Sequence, residues 1–182
     1  HQTQRGSLFF DGVRVPATNR IGDPGSGFGA AMTAFDFNRA IIALACVGAA
    51  LQSLDETTDH VRTRETFGKP LASRQGVSFQ IAEHLSHLHA ARLVAYHALR
   101  LADEGRRHTS EAAMAKWLGP KAAVDAIHAC LVLHGWPGYG SDLPFASRML
   151  DVVGLEIGDG TPEIMKLIIA REAIGRQSDG PD

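Results

Sequence analysis

Only two cysteines occur in the 182 residues, and neither has a CxxC spacing or a histidine cluster beside it. That speaks against both a disulfide framework and a zinc site. Cys46 and Cys130 lie inside apolar helical patterns and read as buried free thiols of a cytoplasmic chain. Aromatic residues are scarce at 7%, and no charge of one sign dominates, with 18 basic and 20 acidic residues. The missing basic excess argues against a nucleic-acid or membrane-surface protein. The longest strongly apolar run, Ala40 to Leu51, falls short of the roughly 20 residues a bilayer span needs, so no span is expected. An initial methionine and a signal-peptide core are also lacking. The chain starts in a β-prone segment and reads as a piece of something longer.

What is present suffices for one globular domain with a sizeable core, since 45% of the residues are hydrophobic. Residues 7 to 16 hold two short β-prone runs around Asp11-Gly12, which predicts a hairpin. Two strands alone are marginal, so the pattern implies a sheet upstream. The glycine-rich stretch 22–29 reads as a linker. Its Gly25-x-Gly27-x-Gly29 run resembles a phosphate loop only superficially, because no strand and helix flank it.

From Phe28 onward, Leu44, Val47, Leu51, Leu54 and Val61 recur at helical steps and predict a central, mostly buried helix. Gly68 and Pro70 end it. A second helix is expected over about Ser73 to Glu104, with Ile81, Leu85, Leu88, Ala95 and Leu99 on one face. Thr109 or Ser110 is the expected cap of a third, which runs to His134 with Gly135 as its stop and a kink or split at Gly119-Pro120. A short helix is expected around Pro144 to Leu150. The last helix starts with Thr161 as N-cap, Pro162 and Glu163, and Ile164, Leu167, Ile168 and Ile174 form its face. His84, His87 and His89 do not share one helix face, which favours a surface cluster over a metal site, and none is expected. Long helices joined by short connections predict an all-α, up-and-down bundle preceded by a short β remnant.

Three segments then resemble the C-terminal part of the acyl-CoA dehydrogenases, FAD enzymes that oxidise acyl-CoA thioesters. The first is Asp36-Phe37-Asn38-Arg39, followed by Arg62 to Pro70 and Gln75. The second is Ala112 to Lys116, leading to His134-Gly135-Trp136-Pro137-Gly138-Tyr139-Gly140. The third is Ile157 to Ile164, followed by Ile168 to Glu172. The resemblance implies that residues 1–22 end a middle β-domain, 23–29 link, 30–176 form the helical bundle and 177–182 fray. It implies that Arg64, Thr66, Phe67 and Gln75 reach the FAD of a neighbouring subunit, and that Thr161 and Glu163 join the cofactor contacts. The bundle is then an oligomerisation element, homomeric or heteromeric. Guanidinium forks suit a pyrophosphate and a phenylalanine offers a flat apolar face. Taken alone, Arg64 reads first as an ordinary cation at a helix C-terminus.

The resemblance places the catalytic base at Asp159. Most members carry glutamate there, which removes the α-proton while a hydride leaves the β-carbon for the flavin. Aspartate is one methylene shorter, about 1.5 Å, a displacement that matters to a base within hydrogen-bond reach of its proton. Desolvation in a closed cleft is expected to help activate it. A subset of members places the base just before the arginine matching Arg39, but here that residue is Asn38, whose amide is neither acid nor base. Arg39, Asn38 and Gly160 are the implied substrate contacts. Glu163 and Glu156 are lesser carboxylate candidates, and without the resemblance Asp159-Gly160 is an ordinary turn. Val132 and Trp136 depart from the glutamine and second glycine that members commonly bring to the flavin adenine half.

The aspartate and its surrounding string resemble the branch acting on cyclic thioesters such as cyclohexanecarboxyl-CoA. The implied partners are the acyl-CoA substrate and an electron-transfer flavoprotein. Two alternatives stay open: a non-catalytic partner subunit that contributes FAD contacts to a larger flavoenzyme, and a nitroalkane-oxidase-like carbon-acid oxidase.

Overall fold

A computed structural model describes residues 6–175; His1–Arg5 and the expected frayed tail lie outside the described residues. A single 3-10 turn, Ala17–Asn19, precedes helix α1, Gly27–Thr63. The two-residue strands β1, Glu65–Thr66, and β2, Lys69–Pro70, pair antiparallel. Then follow α2, Gln75–Asp103, α3, Thr109–Leu133, α4, Trp136–Tyr139, α5, Phe145–Ile157, and α6, Pro162–Ile174. The result is the all-α bundle that the periodicity predicts.

The central helix is α3 rather than α1. It packs against α1, α2, α4, α5 and α6, and its buried side includes Ala112, Ala113, Ala115, Ala123, Ala126, Ile127 and Cys130. The large residues of α1 drew attention to the wrong helix. Burial in a helix bundle follows close backbone approach, and alanine permits that better than leucine or isoleucine. For the same reason α1 buries only a stripe, Ala40, Ala43, Cys46, Val47, Ala50, Leu54 and Val61, while Ile41 stays exposed. By length and composition alone α1 could cross a bilayer. Here its apolar stripe is covered by α2 and α3, and the helix carries an Asp36–Arg39 ion pair.

Further expectations are corrected. No strand forms among residues 6–16, and Leu8, Phe9, Phe10, Val13 and Val15 are exposed, because no second sheet layer covers them. The stretch read as a linker already becomes helical at Gly27. Helix α3 does not split at Gly119-Pro120; both residues are buried, and packing from neighbouring helices offsets the one lost backbone bond. Its N-cap is His108 with no side-chain cap, since the Thr109 hydroxyl donates instead to Asp36 Oδ2 at 2.7 Å. The expected faces of α2 and α6 are also only partly covered: Leu85, Ile164, Leu167 and Ile174 are exposed, and α6 buries Met165 alone. The short helix before it is longer than expected, running to Ile157.

Both cysteines are buried as expected. Burial pushes the Cys46 thiol up to about 12, partly opposed by the Lys116 charge, and burial also raises Cys130. A thiolate is the reactive form. Native protein at pH 8 is therefore expected to take up no label from a thiol-specific disulfide reagent, while urea-unfolded protein takes up two equivalents. Rapid labelling of the native state would contradict the packing of α1 on α3.

Candidate functional site

The loop between α5 and α6 gathers the third sequence segment and borrows side chains from two other helices. Asp159 adopts φ +58° and Gly160 φ +113°. At Gly160 the φ of +113° favours glycine, and a Cβ there would also displace the Met165 methyl, 2.6 Å away. Among the described residues, Asp159 and Phe67 are the only non-glycine residues at positive φ. Such conformations cost energy and gather at functional positions.

Two cations hold this loop by its main chain. Lys116 of α3 is 1% exposed, and its Nζ donates to the carbonyls of Glu156 at 3.0 Å and Gly160 at 3.1 Å. Arg39 of α1 is 7% exposed; its Nε donates to the Asp159 carbonyl at 3.5 Å, the outer limit of such a bond. Arg39 is itself fixed by Asp36, whose Oδ1 accepts from it at 2.7 Å while Oδ2 accepts from Thr109. The Asp159 side chain stays exposed. The bundle thus fixes the aspartate's backbone but does not bury its carboxylate, so the desolvation expected of it has to come from outside these residues. Thr161 is the N-cap of α6 as expected, although its hydroxyl does not cap the helix. Glu163 accepts from its own backbone N–H and from Thr161, which hold it below the usual carboxylate range.

A groove of about 410 Å³ opens beside Arg39, lined among others by Met32, Asp36, Arg107, Thr109 and Arg171. Arg107 pairs with Glu172 across its rim. Asn38 is exposed next to it.

The other predicted group lies at the far end of α1. β1 and β2 are joined by Phe67 and Gly68 at φ +52° and +71°, the paired positive φ of a type I′ turn. This turn holds Phe67 98% exposed. Arg74 steadies it, donating to the Thr66 carbonyl at 2.9 Å with its guanidinium 5.9 Å from the Phe67 ring centre. Arg64 and Gln75 are exposed beside the hairpin. At 1.5 Å per residue, Arg64 lies about 37 Å along the helix direction from Arg39. The structure therefore brings Arg39, Asp159, Gly160, Thr161 and Glu163 together, and separately Arg64, Thr66, Phe67 and Gln75.

Lys116 and Asp36 have no role in the expected site, and Thr109 is expected only as a helix cap. One signal was available: Lys116 follows Ala112, Ala113 and Ala115 on an otherwise small, apolar stretch, and lysine is almost never fully buried without partners. Asp36 stands three residues before Arg39, a helical ion-pair spacing. Among the described residues, no three His, Cys, Asp or Glu side chains gather as a metal site.

A second titratable cluster supports the hairpin end. His60 stacks on His134 with ring centres 4.0 Å apart, and Phe145 packs 4.6 Å from His134, whose buried Nε2 has no hydrogen-bond partner. Arg148 grips Glu56 with two bonds, 2.6 and 2.9 Å, tying α5 to α1. Burial lowers His60, His84 and His134 from their usual value of 6.5, and the Arg148 bond lowers Glu56 from 4.5. In each case the unfolded chain binds the proton more readily. These contributions are therefore full above pH 6.5, fall below it as the histidines charge, and fall again below pH 4.5 through Glu56. Urea midpoints are expected to be lower at pH 5.5 than at 7.5, and equal midpoints would refute the linkage.

Residues 25–174 match the family description "Acyl-CoA dehydrogenase, C-terminal domain". The cyclohexane-1-carbonyl-CoA dehydrogenase of Geobacter metallireducens is 36% identical over 175 residues, covering 94% of this chain and 46% of that protein. The structure of butyryl-CoA dehydrogenase from Megasphaera elsdenii superposes with a TM-score of 0.88 at 32% identity, covering 91% of this chain and 43% of that one. PigA, solved with FAD and proline, superposes with a TM-score of 0.88 at 27% identity, covering 92% and 44%. The chain thus spans less than half the length of these relatives.

Proposed function

The chain belongs to the acyl-CoA dehydrogenase family, and from that premise we propose that its bundle serves the FAD-dependent α,β-oxidation of an acyl-CoA thioester, with Asp159 as the base. The observation that carries this reading is the strained, doubly braced turn at Asp159. A non-glycine residue at φ +58° immediately before Gly160-Thr161, its main chain tied to α1 and α3, is a costly way to build a plain connection.

In this reading the thioester enters along the groove beside Arg39. Arg107 and Arg171 on its wall suit the phosphates of CoA. Asp159 takes the α-proton onto its carboxylate, and bound FAD supplies the acceptor for the hydride from the β-carbon. The exposed carboxylate becomes a working base once the rest of the enzyme closes over it and excludes water. The shorter aspartate side chain fits a substrate whose α-carbon lies closer to the turn, and a ring carboxyl-CoA such as the Geobacter enzyme's is the class we assign.

Phe67 and Arg64 fit the flavin of a neighbouring subunit. A ring 98% exposed and held outward by its own turn leaves the face away from Arg74 free for a partner, and the exposed Arg64 guanidinium suits a pyrophosphate. Their distance along α1 from Asp159 supports a second flavin, hence an oligomer. Electrons then leave to an electron-transfer flavoprotein.

The test is the visible spectrum of the holoenzyme carrying this bundle, titrated anaerobically with thioesters of straight and cyclic acids. Bleaching of the flavin's visible absorbance by a cyclic carboxyl-CoA is the expected result. A flavoprotein that no thioester bleaches, but that consumes oxygen with nitroalkanes, would replace this reading with the carbon-acid oxidase.

A further inference from the structure

Lys116 is the most deeply buried charged residue of the described chain, and nothing in the reaction as outlined uses it. Among the described residues it forms no ion pair. Burying an ammonium without a carboxylate partner is expensive, and its hydrogen bonds have to compensate. Burial accordingly holds it below the usual lysine range, opposed by the nearby Cys46, Asp159 and Glu156. Two of its three donors are committed to main-chain carbonyls.

The choice of carbonyls is informative. Glu156 lies in the last turn of α5, where helix carbonyls have no partner of their own and the helix end favours a cation. Gly160 lies directly after the strained Asp159. One ammonium thus ties a rigid helix end to the residue on the far side of the aspartate, spanning the turn in between. Arg39 ties the Asp159 carbonyl itself from α1. The carbonyls at 156, 159 and 160 therefore all accept from cations anchored in two different helices.

Resting on the reading of Asp159 as base, we propose that Lys116 is a positioning residue for it: the buried ammonium sets the turn between α5 and α6, and with it the reach of the aspartate toward the substrate α-carbon. A side chain one methylene short of the usual base has less slack, and a misplacement of about 1 Å can cost 10²-fold in rate. The Lys116 ammonium does not itself exchange a proton with substrate.

The experiment replaces Lys116 in the holoenzyme. Lys116→Met keeps an unbranched side chain of similar length without donors. Per bound flavin, kcat for reductive bleaching is expected to fall about 100-fold, with KM for the thioester within about threefold of wild type. A role in stability alone would lower the melting temperature or flavin content but leave kcat per flavin unchanged, and that result overturns the proposal. Lys116→Gln, which keeps a shorter neutral donor, is expected to lose about tenfold at unchanged KM. It decides the matter if the Met variant does not fold, since undiminished kcat per flavin there overturns the role equally. A wild-type holoenzyme that no thioester bleaches would instead overturn the functional reading, and this role with it. A competent wild type beside an undiminished variant overturns the role alone.

Discussion

Replacing Asp159 with asparagine in the holoenzyme is expected to abolish substrate bleaching of the flavin while the flavin stays bound. The loss should reach about 10³-fold or more in the reductive half-reaction, within the range general acid–base groups contribute. Asparagine is the informative replacement because it matches aspartate in shape and also tolerates φ +58° better than other side chains, so the turn keeps its form. What disappears is the ability to accept a proton. Anaerobic stopped-flow absorbance measures the effect directly. Bleaching at a rate within tenfold of wild type would remove Asp159 from the role of base. Asp159→Glu is a useful companion, because it returns the methylene that most family members carry and is expected to shift preference toward thioesters whose α-carbon sits farther from the turn.

Gly119→Ala is expected to be among the most destabilising small substitutions in the bundle. Ala normally improves a helix interior by about 1 kcal/mol relative to Gly. Here a Cβ would stand 2.8 Å from Ala43 Cβ and 2.9 Å from Ala43 Cα, with the Ala43 carbonyl at 3.2 Å. Two of those three atoms belong to the backbone of α1, so no side-chain rotation relieves the contact and the two helices have to separate. Overpacking of this kind costs about 1–3 kcal/mol, occasionally more. Because the clash is with rigid backbone the cost lies at the upper end of that range, and set against the propensity gain it leaves a net loss of about 2 kcal/mol, a fall in Tm of about 4–8 °C for a domain of this size. Calorimetry of the isolated substitution checks it. A rise in Tm, as helix propensity alone would give, would show that α1 and α3 are not in the close contact described.

The same glycine shows where reading the chain as a string falls short. From the sequence, Gly119-Pro120 is a place where a helix breaks, because both residues are poor helix formers in isolation. In the bundle Gly119 lets the α3 backbone lie directly against Ala43 of α1. Likewise Ile41 and Leu85 look like core and are exposed, whereas a run of alanines forms much of the buried surface. A hydrophobicity pattern reports which residues dislike water. It does not report how near two backbones come, and that distance decides which residues are enclosed.

The sequence by itself determined a good deal. The apolar periodicity, the stop at Gly68 and Pro70, and the Thr161-Pro162 start of the last helix fix an all-α bundle, because these signals act within a few residues. The motif resemblance singled out Asp159 and Phe67 among others, and these two are the non-glycine residues at positive φ among the described residues. The hairpin expected over residues 7–16 failed for a complementary reason: its strands need a sheet that these residues cannot supply.

Only the tertiary structure decided the rest. It separated the predicted residues into two groups far apart along α1, and it bound both Arg39 and Thr109 to Asp36. It also brought Lys116, forty residues upstream of Glu156, under the turn that carries Asp159. The sequence can mark a cation in an apolar stretch, but what it holds is set by the carbonyls around it, and those come from parts of the chain that periodicity cannot relate.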